Sequence, residues 1–246
     1  ETTAVVGPSG GGKTTFLKET VRKNRHRRIV YLVNEFSSCD VDGQLVATED
    51  ADVVSVPGGS IFCKCLVTEF IGTLKRIAEE FHTEETPVEG VVIEASGMAD
   101  PRVVETMLSE TGLDRRYRLA MILAIVEPRS FLRLIHTLPN IRTQVESSDH
   151  VLLNKCDLYD EETLAETEAA VREIQPAADL IRCEYGRVDF DLFPPSVMRG
   201  LKGEYAKCRD PNYQSCALLP AEPVDAADLK RRIAAIEDDL YRLKGT

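Results

Sequence analysis

The chain has 246 residues, 43% of them hydrophobic, 29% charged and only 6% aromatic, with no tryptophan. Thirty lysines and arginines against 41 aspartates and glutamates leave a net charge of −11, which argues against generic binding to nucleic acid or an anionic membrane. No run approaches the ~20 apolar residues that span a bilayer, and seven scattered cysteines suggest reduced thiols in a cytoplasmic setting, not a disulfide framework.

Glu1 is not a methionine, so the natural start is expected to be missing, and the first six residues are too short for a signal peptide. Short β-branched runs predict strands at 2–6, 29–33, 52–56, 90–95, 118–126, 149–153 and 178–183. Helical spacing predicts helices over 13–23, 66–81 and 161–174, the second from Leu66, Phe70, Leu74, Ile77 and Phe81. Strands that alternate with helices read as an α/β fold, with a mostly parallel sheet and helices on both faces. Phe193-Pro194-Pro195 marks a break. The expected domains are therefore 1–195 and a C-terminal extension, 196–246, with a loop at 202–212, a strand at 213–219 and a helix at 226–241.

Gly7-Pro8-Ser9-Gly10-Gly11-Gly12-Lys13-Thr14 fits GxxxxGK[ST] between a strand and a helix, which is the context of a P-loop NTPase. Gly7, Gly10, Gly11 and Gly12 let successive amides face phosphate oxygens, and the helix N-terminus adds its dipole. Lys13 is expected to reach the β- and γ-phosphates and the Thr14 hydroxyl to meet Mg²⁺, while Thr15 is a further nucleotide-binding residue.

Asn154-Lys155-Cys156-Asp157 ends an apolar strand as an NKxD motif. A carboxylate at Asp157 can accept both N1–H and the 2-amino group of guanine, a donor pair that adenine lacks. Asn154 can bond the other edge of the base and the phosphate loop, and the stem of Lys155 can cover the ring face. The two motifs together separate GTPases from the commoner ATPases.

Three further stretches, Asn34-Glu35-Phe36, Glu94-Ala95-Ser96-Gly97-Met98-Ala99-Asp100-Pro101 and Gln144-Val145-Glu146-Ser147-Ser148-Asp149, complete a resemblance to the CobW-like metallochaperone GTPases, relatives of the nickel-insertion GTPases for urease and hydrogenase. The resemblance runs to about residue 190, and Tyr241-Arg242-Leu243-Lys244-Gly245 is similar to the segment that opens the family's C-terminal domain. It implies a Mg²⁺-dependent GTPase that turns GTP to GDP slowly and serves a client metalloprotein or corrinoid protein, with Zn or Co as the metal handled. A nucleotide-gated interaction switch without metal, or a small-molecule kinase, are the other readings.

By the same resemblance Glu94 meets the Mg²⁺ shell with Thr14, and Gly97 senses the γ-phosphate. A plain helix-capping role for that turn is the bland alternative. Lys13, Glu94 and Glu35 are the candidates for catalysis, with no obvious base or arginine finger. Glu35 and Cys39 are placed in the loop after the second strand. The family's Gly-Gly-Cys-x-Cys-Cys reads here Gly58-Gly59-Ser60-Ile61-Phe62-Cys63-Lys64-Cys65. Cys63 and Cys65 are candidate transition-metal ligands, with Glu35, Cys39 or a second chain in a homodimer to complete the set of about four that zinc prefers. Two small core cysteines are the alternative. The basic run 22–28 is read as a solvated helix end or a dock for an acidic partner.

Overall fold

A computed structural model describes residues 1–35, 46, 51–57, 60–63, 66–195, 200, 201, 203, 205 and 224–236, with backbone only for Glu35 and Pro57. Its strands are β1 (Thr2–Val6), β2 (Ile29–Glu35), β3 (Asp52–Pro57), β4 (Gly90–Glu94), β5 (Leu119–Val126), β6 (His150–Leu153) and β7 (Asp179–Arg182). Its helices are α1 (Lys13–Lys23), α2 (Val67–Arg76), α3 (Val103–Glu110), α4 (Pro128–Leu134), α5 (Pro139–Glu146), α6 (Glu161–Ile174) and α7 (Ala226–Ala234). The strands form one sheet in the order β3-β2-β4-β1-β5-β6-β7, and every pairing is parallel. β1 is central, and its C-terminal end delivers the phosphate loop at the sheet edge where ligands of open α/β sheets bind.

Strand side chains alternate between two cores, as the period of two requires. Ala4, Val6, Val30, Leu32, Ile122, Ala124 and Val126 face one side, where α2 to α6 supply Phe70, Leu74, Met107, Phe131, Val145 and Val171. Val5, Tyr31, Val33, Met121, Leu123 and Ile125 face the other, against Phe16, Leu17 and Val21 of α1 and Leu192 and Phe193. All eight residues of β5 are buried, as expected of a strand covered on both faces.

On the α1 side, the segment 186–193 runs as a strap. Lys23 Nζ holds it by the Val188 carbonyl (2.9 Å) and Asp189 (2.6 Å), and Thr3 Oγ1 donates to the Leu192 carbonyl. The Phe193 ring lies on Gly90, where a Cβ would come within 2.2 Å of it, and the Arg27 guanidinium sits 5.3 Å from the ring centre. Beyond residue 195, the Leu201 amide donates to Glu105 Oε2 (3.1 Å) and Tyr205 Oη to Glu110 Oε2 (3.0 Å), both on α3.

Four expectations change. β2 runs on to Glu35, so Glu35 is a strand residue and not part of the following loop. The ladder to β3 continues through Asn34 opposite Val56 and Glu35 opposite Pro57, and the Asn34 amide donates to the Val56 carbonyl at 2.9 Å. The helix expected over 66–81 is α-helical only to Arg76 and ends in a π-helical turn, Ile77–Phe81. Tyr117 Oη donates to the Leu74 carbonyl (2.6 Å) where the ladder changes, an insertion of the kind that loosens a helix. Of the helix expected over 226–241, Ala226–Ala234 is helical and Ala235 and Ile236 form a turn, while 237–241 lie outside the described residues. Helices α3, α4 and α5 were not anticipated. The expected strand at 213–219 lies outside the described residues.

Candidate functional site

The phosphate loop links Val6 to Lys13 through a backbone that only glycine tolerates at several points. Gly7, Gly10 and Gly12 have φ of 134°, 82° and 104°. A Cβ on Gly7 would lie 2.1 Å from the Ile125 carbonyl oxygen, and one on Gly12 2.2 Å from Asn154 Nδ2. The loop is thus pressed against the ends of β5 and β6. Helix α1 starts on Gly12, which has no side chain to cap it, and a helix N-terminus of this kind favours an anion. Lys13 is 5% exposed, and its ammonium donates to the carbonyls of Gly7 (3.0 Å) and Pro8 (3.2 Å). A buried ammonium curled over a ring of amides, with a glycine cradle that a Cβ would fill, fits a polyphosphate in size and charge.

Asn154 begins the second part of the site. It is 1% exposed and donates through Nδ2 to the Gly11 carbonyl (2.9 Å). Its Oδ1 accepts from the Gly186 amide (3.0 Å) and lies 3.5 Å from the Cys183 thiol. The expected link to the phosphate loop is therefore present, and a second link, to residues 183–186, accompanies it. Lys155 takes a left-handed φ of 63°, and Asp157 lies in the short 3₁₀ turn that follows. The Cys156 amide donates to the Cys183 carbonyl (3.2 Å), which holds the two loops side by side.

Of the 183–186 loop, only Cys183 is expected from the sequence near the base pocket, as a packing residue at a strand end; Tyr185 and Gly186 are not. The loop's signals were Gly186 after a strand end and Tyr185, whose φ of 54° is unusual for an aromatic residue. Burial disfavours the thiolate form of both cysteines. Burial pushes the Cys183 thiol up to about 12 and also raises Cys156, whose Sγ donates to the Leu153 carbonyl (3.1 Å).

The third part is the turn after β4. Glu94 ends that strand and is 3% exposed. By the alternation of the strand its side chain shares the side of Val92, the one that α1 covers. Gly97 abuts the phosphate loop so closely that a Cβ would come within 3.0 Å of Ser9 N and Oγ. Helix α5 grips this turn from outside. Asn140 Nδ2 donates to the Gly97 carbonyl (3.0 Å), and Gln144 Nε2 to the carbonyls of Gly97 (3.2 Å) and Ala99 (2.8 Å). At the end of the turn, Asp100 pairs with Arg102 at 2.7 Å, which raises the Arg102 pKa.

The cysteine region differs from expectation. Ser60, Ile61 and Phe62 are buried, and Phe62 packs edge-to-face on Phe70 with ring centres 5.8 Å apart. Two of the family's cysteine positions are therefore occupied by core side chains. Cys63 is 2% exposed and disulfide-bonded. The reading of all cysteines as free thiols fails at this residue: its sulfur is already bonded and can ligate a metal only after reduction. Cys156 and Cys183 are free. Cys39, Cys65 and the Glu35 side chain lie outside the described residues. Among the described residues no three His, Cys, Asp or Glu side chains converge as a metal site, and no helix is long and apolar enough to cross a membrane.

A family model described as the CobW/HypB/UreG nucleotide-binding domain matches residues 1–182. The zinc chaperone YjiA of Escherichia coli K12 is 28% identical over 192 residues, which cover 77% of this chain and 59% of that protein. The zinc chaperone YeiR of the same strain is 29% identical over 197 residues, 78% of this chain and 57% of that protein. The chain thus spans under two thirds of the length of these relatives. Among solved structures, the hydrogenase maturation factor HypB of Archaeoglobus fulgidus has a TM-score of 0.53 at 16% identity, covering 74% of this chain and 80% of that one. The Zn(II)-bound YjiA GTPase of E. coli has a TM-score of 0.51 at 19% identity, covering 97% and 77%. Both structures share the fold.

Proposed function

The chain belongs to the CobW/HypB/UreG family, and we propose that it binds and slowly hydrolyses GTP, and uses that cycle to deliver a metal to a client metalloprotein in the cytoplasm. The observation that carries the reading is the single carboxamide of Asn154, which ties the phosphate loop at Gly11 to the base-side loop at Gly186. Phosphate and base recognition then form one pocket.

In this reading the loop amides and the Lys13 ammonium take the charge of the β- and γ-phosphates, and Asp157 accepts the guanine donor pair. Thr14 and Glu94 would hold Mg²⁺, which supplies further charge neutralisation when bound. Gly97 would sense the γ-phosphate, a role supported by its close approach to Ser9 of the phosphate loop. The sequence offers no obvious general base or arginine finger, so intrinsic turnover is expected well below the ~1–100 s⁻¹ typical of kinases.

The metal is cargo in this scheme. Zinc is the first candidate, because the YjiA and YeiR relatives carry that name, and cobalt or a corrinoid client is the second. Cys63 and Cys65, with Glu35 or Cys39, or with a second chain across a dimer, are the proposed ligands. The disulfide at Cys63 favours one alternative, a nucleotide switch that carries no metal in its oxidised form. A zinc titration with and without reductant separates the two. The metal reading predicts stoichiometric binding only after reduction, and its loss in a Cys63→Ser, Cys65→Ser variant. Identical titrations of the reduced native and variant proteins would leave the plain switch.

A further inference from the structure

We propose that Asn34 is the joint that couples the nucleotide-sensing turn at Ser96-Gly97 to the turn carrying Cys63. This is a positioning role that rests on the nucleotide cycle proposed above. The topology makes such a joint necessary. β2 lies between β3 and β4, so the two outer strands share no hydrogen bonds. The chain leaves β3 toward Cys63 and leaves β4 toward Gly97. Beyond the strand ends, the sheet ladder gives these two turns no direct connection.

Asn34 supplies one. It is the penultimate residue of β2 and is 3% exposed. In strand alternation it follows Val30 and Leu32, on the side where Val56, Ile61 and Ala95 are buried. Its Nδ2 donates to the Val56 carbonyl at 2.9 Å. Its Oδ1 accepts from the Ile61 amide at 3.1 Å and from the Ser96 amide at 3.2 Å. The two amide donors fix which end of the carboxamide is oxygen, since the NH₂ end could satisfy neither. One oxygen thus holds an amide from each turn.

Each amide lies close to something the function needs. Ser96 precedes Gly97, which has no room against Ser9 of the phosphate loop. A shift of that loop toward or away from a γ-phosphate therefore reaches the Ser96 amide through one residue. On the other side, Ile61 is the second residue of the turn that the Cys63 amide closes on the Ser60 carbonyl at 2.9 Å. The anchor at Val56 keeps the Asn34 side chain on β3 while the Ser96 amide moves. Because both amides depend on one acceptor, a change in one bond alters the geometry and strength of the other.

The test is site-resolved amide hydrogen exchange on the whole chain, loaded with GDP and then with a non-hydrolysable GTP analogue. In the native protein the Ile61 and Ser96 amides should change together, each by about fivefold or more, the factor that one hydrogen bond of ordinary net strength makes. In Asn34→Ala, the Ser96 response should persist while the Ile61 response is lost. A native protein in which Ser96 responds without Ile61, or in which neither responds, overturns the proposal. So does an Asn34→Ala protein whose Ile61 amide still follows the nucleotide. If Asn34→Ala does not fold, the native comparison decides alone. A guanine-nucleotide titration of the same sample keeps the two levels apart: failure to bind rejects the functional reading and this joint with it, whereas binding without a paired response rejects only the joint.

Discussion

At Gly12 three requirements meet in one residue. It has a φ of 104°, it begins α1, and its missing side chain leaves room for Asn154 Nδ2. Gly12→Ala should strain the backbone and push Asn154 off the Gly11 carbonyl, for a loss of about 2–4 kcal/mol. Thermal melts with and without GDP would register it as a lower Tm and a smaller nucleotide-induced shift. Asp157→Asn should leave the fold intact and weaken GTP by roughly 10- to 150-fold, the span of about 1.5–3 kcal/mol for a charged hydrogen bond. It should also relax selectivity toward xanthosine nucleotides, whose extra carbonyl suits an amide donor, as competition binding would reveal. Residues of this kind were legible because their chemistry is local. A run of glycines before Lys-Thr, or a carboxylate after Asn-Lys, states its ligand within a few positions. Asn34, Asn140 and Gln144 were not legible in that sense. Their partners are backbone groups 22 to 62 residues away, and nothing local marks an amide side chain as a clamp.

Among the elements, the strands were easier to foresee than the helices. Buried strands of a parallel sheet read as β-branched runs, and the segment that became β5 stands out even without an alignment. Helices α3, α4 and α5 have only seven or eight residues each, too short for a helical period to declare itself, and α4 and α5 start at prolines. The strap at 186–193 has no regular pattern at all, yet it closes the α1 side of the sheet. The strap takes up Lys23 of the basic run, and other carboxylates pair with much of the rest. Lys23 pairs with Asp189, Arg27 with Glu89, and Arg28 with Asp52, while Arg22 pairs with Glu19 on α1 itself. Such exposed pairs contribute about 0–1 kcal/mol each, so their role is placement more than stability. The Phe193 ring on Gly90 matters more. Gly90→Ala should destabilise the fold by about 2 kcal/mol or more through overpacking. Adding Phe193→Leu should recover part of that loss, and a double-mutant cycle in urea should show strong coupling. Additive effects would mean that the ring can move aside freely.

For the molecule as a whole, pH offers a test of how the buried groups are held. Burial raises the Cys183 thiol from 9.0 and the Tyr117 hydroxyl from 10.0, each to about 12. Above those ordinary values the unfolded chain loses protons that the folded chain keeps, so the unfolded state binds fewer protons and stability falls with rising pH. The contribution is complete below about pH 9 and is lost progressively toward pH 12. Urea melts of Tyr117→Phe should show a shallower alkaline decline than the native chain, at some cost in stability at neutral pH because the bond to Leu74 is gone. The central claim is that loops from separate strands converge to read a guanine nucleotide, and it is tested most directly by competition. GTP and ATP would be titrated, each with Mg²⁺, against a fluorescent GDP analogue bound to the purified chain. The account predicts that GTP displaces the probe at concentrations at least ~100-fold lower than ATP, because adenine offers no donor pair to the Asp157 carboxylate and leaves it unpaired. Equal displacement by the two nucleotides would contradict it.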